Sequence, residues 1–251
     1  MKITDINTVI GKKDVHGNMT TPESLIAMMD SYGIERAVAY HALSEFDHEK
    51  GNALMASIAL ESEGRIGFCA VIDSALGKNS LSGVGTLAER LAASGAECIR
   101  VFPKELRVPF DEFYWQKVLE VANKLSMPVI IDEPFEPHKL PHTFTVLPSL
   151  AEKYQRVKFV VLGLGICESR VIFPLIEKRK NVYFTIEKML DYMQIEEICE
   201  RGGDKQLLLG SAYPNATPAG ALGLAHYANV SNGVKEKILS KNWEEIRYVN
   251  S

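Results

Sequence analysis

No stretch of this 251-residue chain approaches the ~20 consecutive apolar residues of a membrane-spanning helix. Basic clusters are equally scarce. The longest is Lys178-Arg179-Lys180, which reads as a solvated helix end, and the formal net charge is −4, so no nucleic-acid partner is expected. The four cysteines (Cys69, Cys98, Cys167, Cys199) form no C-x-x-C pair. Three of them lie in or beside apolar runs, which suits buried free thiols and a reducing compartment. The opening Met1-Lys2-Ile3-Thr4-Asp5 has no long apolar core and an early acid, unlike a signal peptide, so a cytoplasmic location is expected. G-x-G-x-x-G, G-x-x-x-x-G-K and G-x-S-x-G motifs are all missing, so neither a cofactor nor a nucleophile elbow is expected.

What the chain does have is repetition. Short β-rich apolar runs at residues 3–10, 37–40, 65–72, 97–102, 128–132, 157–162, 181–186 and 206–210 alternate with amphipathic helical stretches. Thr21-Pro22-Glu23 and Thr217-Pro218 carry helix-start signals. Gly33, Gly95 and Gly202 sit where helices should stop. Residues 77–85 read as a loop, and residues 234–239 as part of a C-terminal helix. Strand–helix alternation predicts a parallel sheet with crossover helices. Eight repeats in this length, close to the ~250 residues usual for the fold, predict one α/β domain over residues 1–251, a (β/α)8 TIM barrel. The aromatic and methionine positions in Phe113-Tyr114-Trp115 and Tyr192-Met193 read as helix packing faces.

The run Gln206-Leu207-Leu208-Leu209-Gly210-Ser211-Ala212-Tyr213-Pro214 resembles the last barrel strand of the amidohydrolase-2 type metal-dependent hydrolases, where Gly-Ser-Asp-x-Pro follows the apolar run. Further pieces in the same order extend the resemblance over nearly the whole chain. They include Thr21-Pro22-Glu23-Ser24-Leu25, Gly51-Asn52, Gly95-Ala96-Glu97-Cys98-Ile99-Arg100-Val101-Phe102-Pro103 and Met127-Pro128-Val129-Ile130-Ile131-Asp132. The resemblance implies a metal site made by His-x-His on strand one, histidines ending strands five and six, and an aspartate ending strand eight. Here those positions read Asn7, Val9, Asp132, Leu164 and Ala212, and no histidine lies on any of the four strands. No metal is therefore expected at this site.

The six histidines are His16, His41, His48, His138, His142 and His226. His138-x-x-x-His142 has ligand-like spacing, but Pro141 spoils a helical presentation. His41, directly after strand two, is the best histidine for a pocket role. Other candidates at the barrel mouth are Asn7, Asp132, Glu187, Ser211 and Tyr213, with Lys104, Glu133 and Lys188 reading as solvated loop charges. Arg100 ends strand four, where relatives often carry an arginine that meets a substrate carboxylate. Arg100 and Asp132 read either as a substrate-handling pair or as a buried ion pair filling the vacated cavity. Two functions stand open. One is a metal-independent hydrolase or lyase on a small carboxylate-bearing molecule, with Asp132 as acid or base, Asn7 and His41 assisting, and Arg100, Glu187, Ser211 and Tyr213 binding substrate. The other is a catalytically silent barrel binding a small molecule or a partner. Homo-oligomer formation is left open.

Overall fold

A computed structural model describes residues 1–14, 16–74, 86–133, 141–163 and 169–249. Residues 77–85, together with Leu164, His138 and Cys167, lie outside these. Eight parallel strands follow one another around a nearly closed barrel in sequence order: β1 Thr4–Ile10, β2 Arg36–His41, β3 Ile66–Val71, β4 Ala96–Val101, β5 Pro128–Ile131, β6 Lys158–Val161, β7 Val182–Thr185 and β8 Leu207–Leu208. Helices α1 Pro22–Tyr32, α2 His48–Glu61, α3 Leu87–Ser94, α4 Pro103–Leu106, α5 Glu112–Leu125, α6 Thr143–Lys153, α7 Ser169–Lys178, α8 Gln194–Glu200 and α9 Pro218–Tyr227 intervene or follow.

The apolar runs are strands because both of their faces are covered. Successive side chains alternate between two apolar clusters. Val38, Cys69, Val71, Cys98, Ile130 and Val160 point into the barrel. Ala37, Phe68, Ile99, Val129 and Phe159 point out, toward the helices. The same alternation carries Arg100, two residues after Cys98, to the inner side.

β1 is irregular. Its pairing with β2 shifts between Asp5 and Thr8, and both Ile6 and Val9 join the inner cluster three residues apart. A bulge of this kind turns side chains to new directions near the rim of a barrel, and Asn7 sits within it.

β8 pairs with β7 over only two residues, and on its other edge Leu209 N–H donates to the Ile238 carbonyl. That carbonyl belongs to a π-helical turn, Lys237–Lys241, between α10 (Asn232–Glu236) and α11 (Asn242–Ile246). Asn242 Nδ2 donates to the Leu207 carbonyl at 2.8 Å, and Trp243 packs into the inner cluster. The C-terminal segment thus closes the end of the barrel where the strands begin. The seam itself is joined by Ile6 N–H to Leu209 O and Val9 N–H to Tyr213 O, both 3.0 Å.

Helix ends follow their sequence signals. Thr21 and Ser24 make a reciprocal capping box on α1, and Gly33 and Gly95 take left-handed conformations after α1 and α3. The aromatic runs are a correction. Trp115 is buried, but Phe113 and Tyr192 are exposed, and Tyr114 and Met193 are largely so, because α5 offers the core one face only. Cys69 and Cys98 are buried free thiols and Cys199 is partly buried. Among the described residues no helix is long and apolar enough to cross a membrane.

Gly51-Asn52 shows why two small details of sequence are needed. A Cβ at Gly51 would lie 2.2 Å from Ser44 Oγ. Asn52 is buried and grips the end of β3, donating to Val71 O and accepting from Val71 N–H, both at 2.9 Å. Asn52→Ala would strand both backbone groups. We expect a loss of about 2–4 kcal/mol, each unsatisfied group costing about 1–3 kcal/mol. Chemical denaturation measures it, and a loss below about 0.5 kcal/mol would show that water replaces the amide.

Candidate active site at the barrel mouth

A cavity of about 440 Å³ opens where the strands end. β1 supplies Asn7 and Val9, β2 supplies Tyr40, β4 supplies Arg100 with Phe102 just beyond it, and Asp132 follows β5. Leu162 and Gly163 follow β6, Glu187 and Lys188 follow β7, and Ala212 and Tyr213 follow β8. The mapping from sequence therefore brings Asn7, Val9, Asp132 and Ala212 to one mouth.

Arg100 is the electrostatic centre of one wall. Its guanidinium is buried and held over the Tyr40 ring at 4.5 Å and the Phe102 ring at 5.4 Å. Nε and Nη2 both donate to Asp132 Oδ2, at 3.1 and 2.5 Å. Burial opposes the positive charge, but Asp132 and the Tyr40 hydroxyl outweigh it, so the guanidinium is held charged. The Tyr40 hydroxyl in turn donates to Glu45 Oε1 at 2.7 Å, and Lys12 lies 3.7 Å from the same oxygen. Glu105 shares this wall. Burial, with nearby Asp132 and Glu45, pushes its carboxyl up.

The opposite wall is built on the β7–β8–β1 seam. Asn7 Nδ2 donates to Glu187 Oε1 at 2.9 Å. Asp5 lies wholly buried behind it, its Oδ1 accepting the Asn7 and Ser211 N–H groups at 3.1 and 2.9 Å. Burial raises the Asp5 carboxyl to about 7, against hydrogen bonds from Ser211 and Asn7 that lower it, and neighbouring Glu187 raises it further. Glu187 is also raised, chiefly by burial.

Two expected site residues do not line this cavity. His41 Nδ1 instead accepts the Leu43 N–H at 3.1 Å, and its ring lies against Gly11, where an added Cβ would come within 2.7 Å. Its place at the end of β2 serves the turn rather than the cavity. Ser211 is buried behind the wall, with its N–H on Asp5 and its hydroxyl accepting from Tyr213 N–H. Glu133 lines the cavity edge and also accepts from the Thr143 amide and hydroxyl. Lys104 is not part of the lining, whereas Lys188 is. Sequence reading missed Tyr40, Phe102, Glu45 and Glu105. The signal was available for Tyr40 and Phe102, since each stands two residues from an inward side chain.

The positions at which the resemblance implied metal ligands are poor in free donors. Val9 and Ala212 have no donor atom, the Asp132 oxygen is engaged by Arg100, and the Asn7 amide nitrogen is turned to Glu187. Among the described residues no group of three or more His, Cys, Asp or Glu side chains could hold a metal. Ala212 adopts φ 60°, the left-handed region, which costs an ordinary L-residue roughly 1–2 kcal/mol and is better tolerated by Asn, Asp or Gly.

The Asp5 carboxyl makes stability depend on pH. Its pKa is about 7 in the fold and about 3.9 in an unfolded chain, so between these values the folded state holds a proton that the unfolded state releases. The stabilisation is complete below about pH 4 and is lost as pH rises through 7. Asp5→Asn keeps an oxygen for the two backbone donors and removes the charge. Denaturation curves should show it more stable than wild type at pH 8, with the advantage gone at pH 4. A variant weaker than wild type at pH 8 would show that the seam needs the carboxylate.

Three solved structures are similar over almost their full length. 2,6-Dihydroxybenzoate decarboxylase complexed with 2,6-dihydroxybenzoate is 12% identical (98% of this chain, 99% of that one, TM-score 0.76). A dihydroxybenzoic acid decarboxylase from Polaromonas sp. JS666, with bound manganese and 2-nitroresorcinol, is 13% identical (98% and 96%, TM-score 0.75). An Acinetobacter baumannii protein assigned as 2-pyrone-4,6-dicarboxylic acid hydrolase, with citric acid bound, is 14% identical (98% and 99%, TM-score 0.70). At these identities the likeness is one of fold. No curated protein sequence matches the chain. The family model described as Amidohydrolase matches residues 16–245, and with most of its length so matched the chain belongs to that family.

Proposed function

We propose that this barrel is a metal-independent hydrolase or lyase acting on a small carboxylate-bearing molecule in the mouth cavity. The observation that carries the reading is the Arg100 guanidinium. It lies in the cavity wall, held charged by Asp132 and fixed in orientation by Tyr40 and Phe102. Asp132 meets the guanidinium with Oδ2 alone, so an incoming carboxylate that offers two oxygens competes for it. Asp132, released, then faces the substrate as general acid or base, and Asn7 orients the reacting group. The neighbouring structures named above support the substrate class, with 2,6-dihydroxybenzoate and citric acid bound in two of them. The poor donor set at Val9, Asp132 and Ala212 supports chemistry without a metal.

Calorimetric titration with citrate and with 2,6-dihydroxybenzoate tests the binding half. At least one should bind saturably, and Arg100→Ala should weaken it at least tenfold. The same variant should lose about 3 kcal/mol of stability, because a partly buried Asp132 is left without its cation. Adding Asp132→Asn should restore part of the stability and none of the binding. Equal binding by wild type and Arg100→Ala would remove Arg100 from the site.

Elemental analysis of the purified protein tests the other half. It should find no stoichiometric transition metal, and chelators should leave the melting temperature unchanged. One zinc or manganese per chain, lost together with stability on chelation, would overturn the metal-independent reading.

A further inference from the structure

We propose that Glu187 is the proton donor of this cavity, oriented by Asn7, and that it turns its free oxygen to the substrate on binding. The inference rests on the functional reading above and adds to it a residue with a defined task.

The geometry divides the two carboxyl oxygens. Oε1 accepts from Asn7 Nδ2 at 2.9 Å, so it is an acceptor and carries no hydrogen. Oε2 is shielded from solvent and has no hydrogen-bond partner. It lies over Gly210, where an added Cβ would come within 3.2 Å of it and 2.9 Å of the Asn7 Cβ. An ionised oxygen without a partner in such a place is costly, whereas a neutral O–H there is far cheaper. The proton therefore belongs on Oε2.

The surrounding charges agree in net effect. Asp5, from β1, stands behind Asn7 as a second buried carboxyl, and its Oδ2 is also without a partner. Two neighbouring carboxyls do not readily ionise together. Thr185 on β7, Asn7 and Lys188 favour the charged form of Glu187, but burial is the larger influence and raises it.

Glu187 is nevertheless part of the cavity wall. The terminal torsion of a glutamate is soft, so a turn of the carboxyl brings Oε2–H from Gly210 toward a ligand acceptor, with the Asn7 amide following Oε1 as it moves. In hydrolysis, water oxygen bonds to the carbonyl carbon and the bond to the leaving oxygen breaks with its electron pair. Glu187 protonates that oxygen and regains a proton from the attacking water. In decarboxylation, the carbon–carbon pair stays on the ring carbon as carbon dioxide leaves. Glu187 protonates that carbon and is recharged from solvent.

Two measurements on the intact chain test this without a known substrate. In the first, the protein is labelled with ¹³C at glutamate carboxyls and titrated by NMR beside Glu187→Gln. One resonance, missing from the variant, should remain protonated well above the ordinary glutamate midpoint of about 4.3. A midpoint at the ordinary value overturns the proposal. In the second, wild type is treated at pH 7 with a water-soluble carbodiimide, which adds to protonated carboxyls, and the modified glutamates are mapped by mass spectrometry. Glu187 should be modified ahead of the surface glutamates, and citrate, which also consumes reagent, should protect it more than it protects them. No modification at Glu187 means its oxygen cannot reach the cavity, and the proposal fails even if citrate binds. Modification without citrate protection leaves the proton donor standing and counts against the carboxylate-substrate reading instead.

Discussion

A guanidinium inside a barrel needs its charge answered, and much of the mouth of this protein is arranged around that need. Strand alternation sends the Arg100 side chain inward, two residues past the buried Cys98. Water is largely excluded there, so the compensation must come from side chains. Asp132, one strand away, supplies the countercharge, and Tyr40 and Phe102 supply aromatic faces from β2 and the end of β4. Because Asp132 is so engaged, it is poorly free to hold a cation. The ion pair thus fixes both the guanidinium and the Asp132 oxygen that answers it.

The barrel separates its tasks along its axis. At the end where strands begin, Trp243, the Ile238 carbonyl and Asn242 seal β8 and the interior. Nearby, Glu97 takes the guanidinium of Arg36 and the backbone N–H of Tyr248, so this end is locked by polar contacts as well. At the other end the inner residues turn polar, with acids outnumbering cations around the cavity. The seam carries the polar mouth at a cost, since carboxyls such as Asp5 and Glu187, taken out of water and close to one another, destabilise the fold when ionised.

The strands and helix caps were legible in sequence because parallel strands covered on both faces read as apolar runs, and because capping depends on local chemistry at Thr21, Gly33 and Gly95. The convergence of Arg100, Asp132, Glu187 and Tyr213 was legible too, since each stands at or just past the end of a recognisable strand. Tyr40 was passed over because a tyrosine inside an apolar strand looks like core, although its spacing of two from the inward Val38 carried the signal. His41, its neighbour, was expected at the mouth, yet adjacent residues on a strand face opposite ways, and only Tyr40 turns inward. The bulge in β1 was invisible as well. It depends on pairing with β2 and β8, which no local pattern at residues 5–8 encodes.

Ala212 shows how the backbone frames this mouth. The turn after β8 holds it at positive φ, and the Asn215 and Ala216 amides both donate to its carbonyl. A left-handed residue so fastened is set by the turn and not by its own side chain, which gains nothing from the conformation. Aspartate would tolerate the same backbone better and would also project a carboxylate into the cavity. Alanine keeps the turn, and with it the Val9–Tyr213 hydrogen bond that closes the seam, while giving the cavity only a methyl group. The turn is thus set by its backbone, and the polar groups of the mouth are anchored on other strands: Arg100 with Asp132 on one wall, Asn7 with Glu187 on the other.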